Sequence, residues 1–458
     1  MTHNDTLGEN AMPAHSTSDD VLLDLYFNLG TRNLSESQLD SLYTKADAED
    51  PHLALKILFY NRDPRGGRGE RASFRHIAKG LTKSEGFKKL IPLIPEYGRW
   101  DDILELLDFE DTRQPTLELI SHGIVSKDRL FAKWMPRKGR YARIIREAFE
   151  VTPRAWRKLL VQNSDTVEQK MCAQKWDEID YSKVPSKAMA LYARAFAKRS
   201  SERFAAWKAA LAKGEADIKV KALYPHEIVK KVWSGDITYP VDAAWDKLLS
   251  LFPKHEARIL PVCDVSGSMS GLPMEVSVSL GMFLSQLNTG PFKDVFCTFS
   301  GRPQLQVLKG TVSQRSYQLL HAQWDMNTDL EKVFKLILKA AEKASPEDVP
   351  SAILILSDMQ FDQCITNAGN NAMEMIERMY EEKGIEVPKV IFWNLRAVVG
   401  TMPVKSDKSG AALVSGFSPA ILSTIVEEGN LENFTPRSIM MASLASKRYD
   451  PIDEALNG

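Results

Sequence analysis

The sequence has little of what defines several common protein classes. Its 458 residues include four cysteines, which are scattered and form no C-x-x-C pair, so a structural zinc site or a disulfide scaffold is not expected. No apolar run approaches the roughly 18 residues that a membrane-spanning helix needs. The first residues lack the basic and apolar segments of a secretory signal. We therefore expect a cytoplasmic protein with reduced thiols and no membrane partner.

Motifs for catalysis are missing as well. The sequence contains no G-x-S-x-G, no G-x-x-x-x-G-K-[ST] and no H-E-x-x-H. Serines that follow the first predicted strand of the C-terminal half have no histidine base near them in the sequence, so they are not expected to act as nucleophiles. We expect no enzymatic activity. A metal-dependent nuclease is a distant alternative, because such a site normally needs more carboxylates and often two metals about 3.5–4 Å apart.

The net charge of −1 conceals a strong segregation of charge. Residues 1–50 carry 2 Lys and Arg against 10 Asp and Glu, residues 51–250 carry 38 against 26, and residues 251–458 carry 19 against 24. The basic middle block makes a polyanionic partner plausible. Spread evenly over a helical domain, the same charge would be ordinary solvated surface.

The pattern along the chain predicts an α + α/β protein with three parts. Residues 1–18 are polar and read as a flexible tail. Residues 19–250 carry apolar residues at spacings of three and four, which predicts a helical domain built from antiparallel, repeat-like helix pairs. Within it, Thr152 and Pro153 have the residue types of an N-cap and a first helical position. Residues 251–458 alternate strands with helices, which indicates a Rossmann-like, mostly parallel sheet.

Polar residues cluster where these predicted strands end. Asp264, Ser266 and Ser268 form a D-x-S-x-S motif directly after the strand ARILPVCDVS. A tight turn at Gly267 lets the three oxygen side chains converge on one point. Such hard oxygen ligands suit Mg²⁺ or Mn²⁺ and are poor ligands for Zn²⁺.

Two further oxygen donors lie on later loops, where ligands of parallel sheets bind. Thr328 precedes a predicted helix, and Asp358 ends the strand SAILILSD. The five residues resemble the metal-ion-dependent adhesion site of von Willebrand factor A domains. That resemblance implies direct ligation by Ser266, Ser268 and Thr328, with Asp264 and Asp358 acting partly through water. It also implies one open coordination position for an acidic group of a protein partner.

Two plainer interpretations of this motif stay open. Asp264 and Ser266 can simply cap the start of a helix, as Asp and Ser often do, although a cap does not explain Thr328 and Asp358 on separate loops. Alternatively, the site is formed but has no function.

Two basic segments of the helical block are candidates for RNA contact. The first is glycine-rich and carries Arg62, Arg65, Arg68 and Arg71. Its backbone could approach a phosphate, or it could be an interhelix turn whose arginines pair with acids. The second segment combines charge with an aromatic ring that could stack on a base, or it could be core aromatics beside a solvated face. It carries Lys133, Arg137, Lys138, Arg140, Tyr141 and Arg143.

A third, acidic segment carries Asp177, Glu178 and Asp180. These residues could belong to an acidic active site. Helix capping or interdomain salt bridges are the favoured interpretation.

Long phrases of the chain resemble an uncharacterised family with a von Willebrand A-like C-terminal half. They include ALKILFYNRDPRGGRGER, IPEYGRWDDILELL and QKMCAQKWDEIDYSKVPSKAMALYARAF. More loosely, the layout and the KWMPRKGR segment are similar to the TROVE-domain Ro autoantigen, whose helical-repeat ring binds small noncoding RNAs. The shorter helical block here makes a closed ring doubtful.

These observations support one leading function and two alternatives. We expect a noncatalytic RNA-binding scaffold of the Ro ribonucleoprotein type, which binds small noncoding or structured RNA and carries a Mg²⁺-dependent ligand site. The first alternative is a Mg²⁺-dependent protein-interaction module without RNA. The second is an assembly factor that works with a separate ATPase.

Overall fold

A computed structural model describes residues 5–252, 254, 258–299, 303–320, 329–342, 345, 349–362, 370–419, 421 and 434–458. Two predictions fall outside these ranges. They are the ligand Thr328 and most of the helix expected over residues 419–429.

Helices make up the N-terminal half. They are α1 (Val21–Leu29), α2 (Glu36–Glu49), α3 (Pro51–Arg62), α4 (Ala72–Gly80), α5 (Glu85–Leu90), α6 (Ile94–Tyr97), α7 (Glu110–Val125), α8 (Arg129–Trp134), α9 (Arg140–Ala148), α10 (Pro153–Asn163), α11 (Val167–Cys172), α12 (Ser186–Arg199), α13 (Ser201–Ala212), α14 (Pro225–Trp233) and α15 (Val241–Leu249). Short 3₁₀ helices connect some of them, at Ile91–Leu93, Trp100–Asp108, Trp176–Glu178 and Tyr181–Lys183.

Local side-chain caps start several of these helices. The Thr152 hydroxyl accepts from the Ala155 amide with Pro153 in the first turn, so this predicted cap is confirmed. Asp20 caps α1 by accepting from the amides of Leu22 and Leu23. Each cap gives a partner to amides that the first helical turn leaves free.

The C-terminal half contains a six-stranded sheet. Its strands are β3 (Ile259–Asp264), β4 (Val295–Phe299), β5 (Gln304–Val307), β6 (Ala352–Ser357), β7 (Lys389–Asn394) and β8 (Ala411–Ser415). Their order is β5-β4-β3-β6-β7-β8, and β5 pairs antiparallel with β4 while the other neighbours are parallel. The predicted mostly parallel sheet is therefore confirmed. The α-helices of this half are α16 (Leu272–Leu287), α17 (Val312–Leu320), α18 (Leu330–Ala341), α19 (Ala372–Glu381), α20 (Pro436–Leu444) and α21 (Asp450–Asn457).

The two faces of the sheet bury different parts of the helical half. Ile353 and Ile355 of β6 lie in one apolar core with residues from α1 to α10. Leu354 and Leu356, which point to the opposite face, share a second core with residues from α11 to α15 and with α16. Because both faces are covered, β6 is buried along its whole length. The helices of residues 19–250 thus complete the core of the sheet on both sides.

The N-terminal segment also differs from its sequence prediction. Residues 5–18, expected as a flexible tail, include a β-hairpin of β1 (Asp5–Leu7) and β2 (Pro13–His15). His15 and Met402 exchange two backbone hydrogen bonds of 2.9 and 2.7 Å, and the Met12 side chain is buried. These long-range contacts hold the segment against the C-terminal half.

Candidate functional site

The D-x-S-x-S motif occupies the carboxyl end of β3 and a 3₁₀ turn at Gly267–Met269. The Ser266 amide donates to Asp264 Oδ1 at 2.8 Å, and the Ser266 and Ser268 hydroxyl oxygens lie 3.1 Å apart. The turn therefore brings the two predicted hydroxyl ligands together, as the spacing predicts.

Asp264 is fully buried and held through both carboxylate oxygens. The Ser357 hydroxyl, at the end of β6, donates to Asp264 Oδ2 at 2.5 Å, while Oδ1 accepts from the Ser266 amide. Burial, and then the negative charge of Asp358, raise the pKa of Asp264 to about 6. Since each carboxylate oxygen can accept a second hydrogen bond, this arrangement suits a carboxylate that acts through a water molecule.

Asp358 has a buried oxygen that lacks a hydrogen bond among the described residues. Its side chain is closed to solvent, and Oδ1 accepts from the Gln360 amide at 3.2 Å. Oδ2 has no hydrogen-bond partner, and the Arg396 guanidinium lies 3.9 Å away. Burial raises the pKa of Asp358, although the Ser268 hydroxyl and the charge of Arg396 oppose this change. A buried anionic oxygen in this state favours a cation beside it.

The donor chemistry fits a hard divalent cation. The described parts of the chain contain no group of three or more His, Cys, Asp or Glu side chains that could hold a metal ion. The donors here are instead two carboxylates and two hydroxyls, a set suited to Mg²⁺ or Mn²⁺. Ser266, Ser268 and Asp358 are the described residues that could hold the ion, with Asp264 behind them.

Sequence reasoning missed two residues of this site. Ser357 holds Asp264, and Arg396 donates to the Ser268 carbonyl at 2.9 Å. Ser357 is the last residue of β6, and Arg396 follows β7, so both lie at the carboxyl edge of the sheet. Applying the strand-end rule to every strand would have identified both.

The first basic segment does not form a continuous cationic surface. Arg62 is buried and forms an ion pair with Asp102 at 2.6 Å. Arg68 is buried against the Tyr26 ring at 4.0 Å and donates to the Tyr26 carbonyl at 2.6 Å. These two arginines therefore do not lie on a surface that RNA could contact, because the helices of the first core cover them.

The other two arginines of this segment are exposed. Arg65 pairs with Glu96 at 2.8 Å, as the interhelix-turn interpretation predicts. Arg71 is exposed, and burial of its guanidinium followed by the charges of Arg99 and Arg75 lowers its pKa.

The second basic segment lies mostly on the surface, with several of its charges paired. Arg140 pairs with Asp108 at 2.7 Å, and Tyr141 donates to the same carboxylate at 3.0 Å. Two longer ion pairs join Lys133 to Glu168 at 3.6 Å and Arg143 to Glu147 at 3.9 Å. Arg137 is half-buried and Lys138 is exposed.

The aromatic residues of this segment are only partly available for stacking. The Arg99 guanidinium lies 3.9 Å from the centre of the half-buried Trp134 ring. Tyr141 is half-buried as well. One face of the Trp134 ring is therefore already taken by a cation of the chain itself.

The acidic segment forms local contacts of the kind that we favoured. Asp180 caps the 3₁₀ helix Tyr181–Lys183, and Asp177 pairs with Arg203 at 3.6 Å. Glu178 pairs with Lys175 at 2.8 Å. These contacts account for the acidic residues as capping and ion pairing.

No helix in the described ranges combines the length and apolar character needed to cross a membrane.

Comparisons with known proteins match nearly the whole chain. A family model described as "Domain of unknown function (DUF7788)" matches residues 258–452, which contain the candidate metal centre. The uncharacterized protein L728 of Acanthamoeba polyphaga mimivirus is 27% identical over 506 aligned residues, which cover 97% of this chain and 88% of that protein. A second model, described as "Domain of unknown function (DUF2828)", matches residues 8–85 and 111–264, slightly more than half of the chain. The chain therefore belongs to the DUF2828 family.

Proposed function

We propose that this chain is a noncatalytic binding protein whose C-terminal half holds Mg²⁺ and uses it to bind an acidic group of a protein partner. The observation that carries the proposal is Asp358 Oδ2, a buried anionic oxygen without a hydrogen bond in the described structure. It belongs to the same strand-end site as Asp264, whose negative charge raises the free energy of the site without a cation.

The topology supports a von Willebrand A-like identity for this half. Numbered from β3, the strand order is 3-2-1-4-5-6, a doubly wound order in which ligands bind beyond the carboxyl ends of the strands. Asp264 and Asp358 end or follow the neighbouring central strands β3 and β6. When bound, Mg²⁺ would supply an electrophilic coordination position for a carboxylate.

Manganese binding tests this proposal directly. The full chain, stripped with EDTA, is titrated with Mn²⁺ while the electron paramagnetic resonance signal of free Mn²⁺ is recorded. We expect a site that Mg²⁺ displaces and that the Ser266→Ala/Ser268→Ala variant binds at least about tenfold more weakly. Ser285→Ala is the matched control, because this buried serine bonds to the Met282 carbonyl within α16. Equal Mn²⁺ binding by both variants would contradict the proposal.

RNA binding is the second candidate function, and the surface of α9 and α10 favours it. Lys138, Arg154 and Lys158 are exposed, and no described acidic side chain lies within 4.0 Å of their charged nitrogens. They flank Arg143, which has only a long ion pair of 3.9 Å. We propose that this surface, rather than the first basic segment, contacts structured or single-stranded RNA in a Ro-like layout. Charges without acidic neighbours are the ones available to neutralise phosphates.

A charge-matched comparison tests this second function. We expect the Lys138→Gln/Arg154→Gln/Lys158→Gln variant to bind a structured RNA more weakly and with a shallower salt dependence, by up to about 0.9 in the log–log slope per lost phosphate contact on a duplex. The control replaces three exposed lysines elsewhere, Lys213, Lys221 and Lys293, by glutamine. Equal affinities and slopes for the two variants would remove RNA binding from this surface.

A further inference from the structure

The N-terminal hairpin lies against the loop that carries Asp358. The Glu9 amide donates to Gln360 Oε1 at 2.7 Å, and the Asn10 side-chain amide donates to the Gln360 carbonyl at 3.0 Å. Ala11 forms an isolated antiparallel bridge with Asp362. The turn between β1 and β2 is thus bonded to residues that lie two to four positions after Asp358.

The loop that receives the hairpin is itself fixed to the candidate metal centre. Gln360 is buried, and its amide donates to Asp358 Oδ1 at 3.2 Å. Its side-chain amide donates to the Thr401 hydroxyl at 3.0 Å, which leaves Oε1 to accept from Glu9. One glutamine therefore joins the hairpin and Asp358 through its side chain and its backbone.

The hairpin turn places a further carboxylate close to the candidate metal centre. Glu9 is exposed, and its negative charge contributes to the raised pKa of Asp358, after the larger effect of burial. Asp264 adds a second negative charge beside Asp358. Bringing a third carboxylate to this site without a cation is unfavourable, whereas a divalent cation would turn the repulsion into attraction.

We propose that Glu9 is this chain's own carboxylate ligand for the open coordination position of the metal, so that an acidic partner binds by displacing the hairpin. This inference rests on the proposed metal function and adds a residue and a mode of regulation to it. The hairpin contacts that face the site are a few hydrogen bonds, which suits a segment that a competing carboxylate can replace.

The number of water molecules on bound Mn²⁺ tests this inference. The probe is the water-proton relaxivity of Mn²⁺ bound to the full chain, compared between the wild type and Glu9→Gln. We expect Glu9→Gln to raise the relaxivity, because one more water coordinates the ion, and to weaken Mn²⁺ binding severalfold. Excess acetate should then lower the relaxivity of Glu9→Gln towards the wild-type value, while it changes the wild type little.

Asp19→Asn is the matched control, because it removes one negative charge from the same segment at a residue that pairs with Lys405. We expect it to match the wild type. If Glu9→Gln and the wild type bind Mn²⁺ with the same affinity, relaxivity and acetate response, Glu9 is not a ligand, although the metal site stands. If neither protein binds Mn²⁺, the proposed function itself has failed.

Discussion

Replacing Asp358 by asparagine is expected to stabilise the metal-free protein and to abolish its stabilisation by Mg²⁺. Asp358 Oδ2 is buried without a hydrogen bond among the described residues, and its nearest described cation, Arg396, is 3.9 Å away. Asparagine keeps an oxygen that can accept from the Gln360 amide and removes the buried negative charge. A buried charged group without a partner costs about 1–3 kcal/mol or more, so a gain of about this size is expected in EDTA.

Mg²⁺ reverses the order of the two proteins. A ligand that binds only the folded state at 100 times its Kd stabilises that state by about 2.7 kcal/mol. The wild type should gain this amount, and Asp358→Asn should gain almost nothing. The reversal distinguishes a cation site from a carboxylate that merely serves the fold.

Guanidinium denaturation, followed by tryptophan fluorescence with EDTA or with saturating Mg²⁺, measures both effects. Asp177→Asn is the control, because this exposed carboxylate has only a long ion pair with Arg203 and lies far along the chain from the site. Its midpoints should follow those of the wild type in both conditions. A lower midpoint for Asp358→Asn in EDTA would refute the argument from burial, and an undiminished response to Mg²⁺ would refute the site.

Three further predictions concern the fold. A Cβ at Gly281 would lie 2.1 Å from Cys263 Sγ, so Gly281→Ala should destabilise the protein by about 1–3 kcal/mol in urea denaturation, and the added change Cys263→Ala should recover part of the loss. Burial lowers the pKa of His226 to about 3 from 6.5, so the neutral form is favoured on folding; stability should fall as the pH decreases below 6.5, by about 2 kcal/mol at pH 5 for this residue, and a pH series of denaturation curves should show a shallower dependence for His226→Phe. Arg448→Met should cost about 3–5 kcal/mol because it leaves the buried Asp63 carboxylate without its cation, and the double variant with Asp63→Asn should be more stable than Arg448→Met alone.

The sequence predicted most secondary structure because the signals are local. The helix VLLDLYFNL is α1, and the buried strand SAILILS contains β6. Caps such as Thr152 need only the next few residues to act. The 3₁₀ helix over WDDILELL shows the limit of this reasoning, since the apolar spacing predicts a helix without specifying its hydrogen-bond pattern.

The candidate site was predictable in part for the same reason. Asp264, Ser266 and Ser268 converge through one turn, so their spacing is enough to place them together. Asp358 was predictable from the rule that parallel strands end at the same edge. The RNA candidates were harder to predict, because Arg62 and Arg68 have the same residue type as exposed arginines, and only packing decides which are buried.

The sequence by itself determined where helices and strands form and which end of the sheet carries the oxygen ligands. Periodicity, caps and motif spacing act over roughly ten residues, so they are readable from neighbouring positions. Only the tertiary structure decided that the helical half covers both faces of the sheet and that Glu9 reaches the loop of Asp358. The hairpin and Gln360 are 351 positions apart, and no local pattern specifies a contact at that separation. Such contacts follow from the packing of all the elements between them.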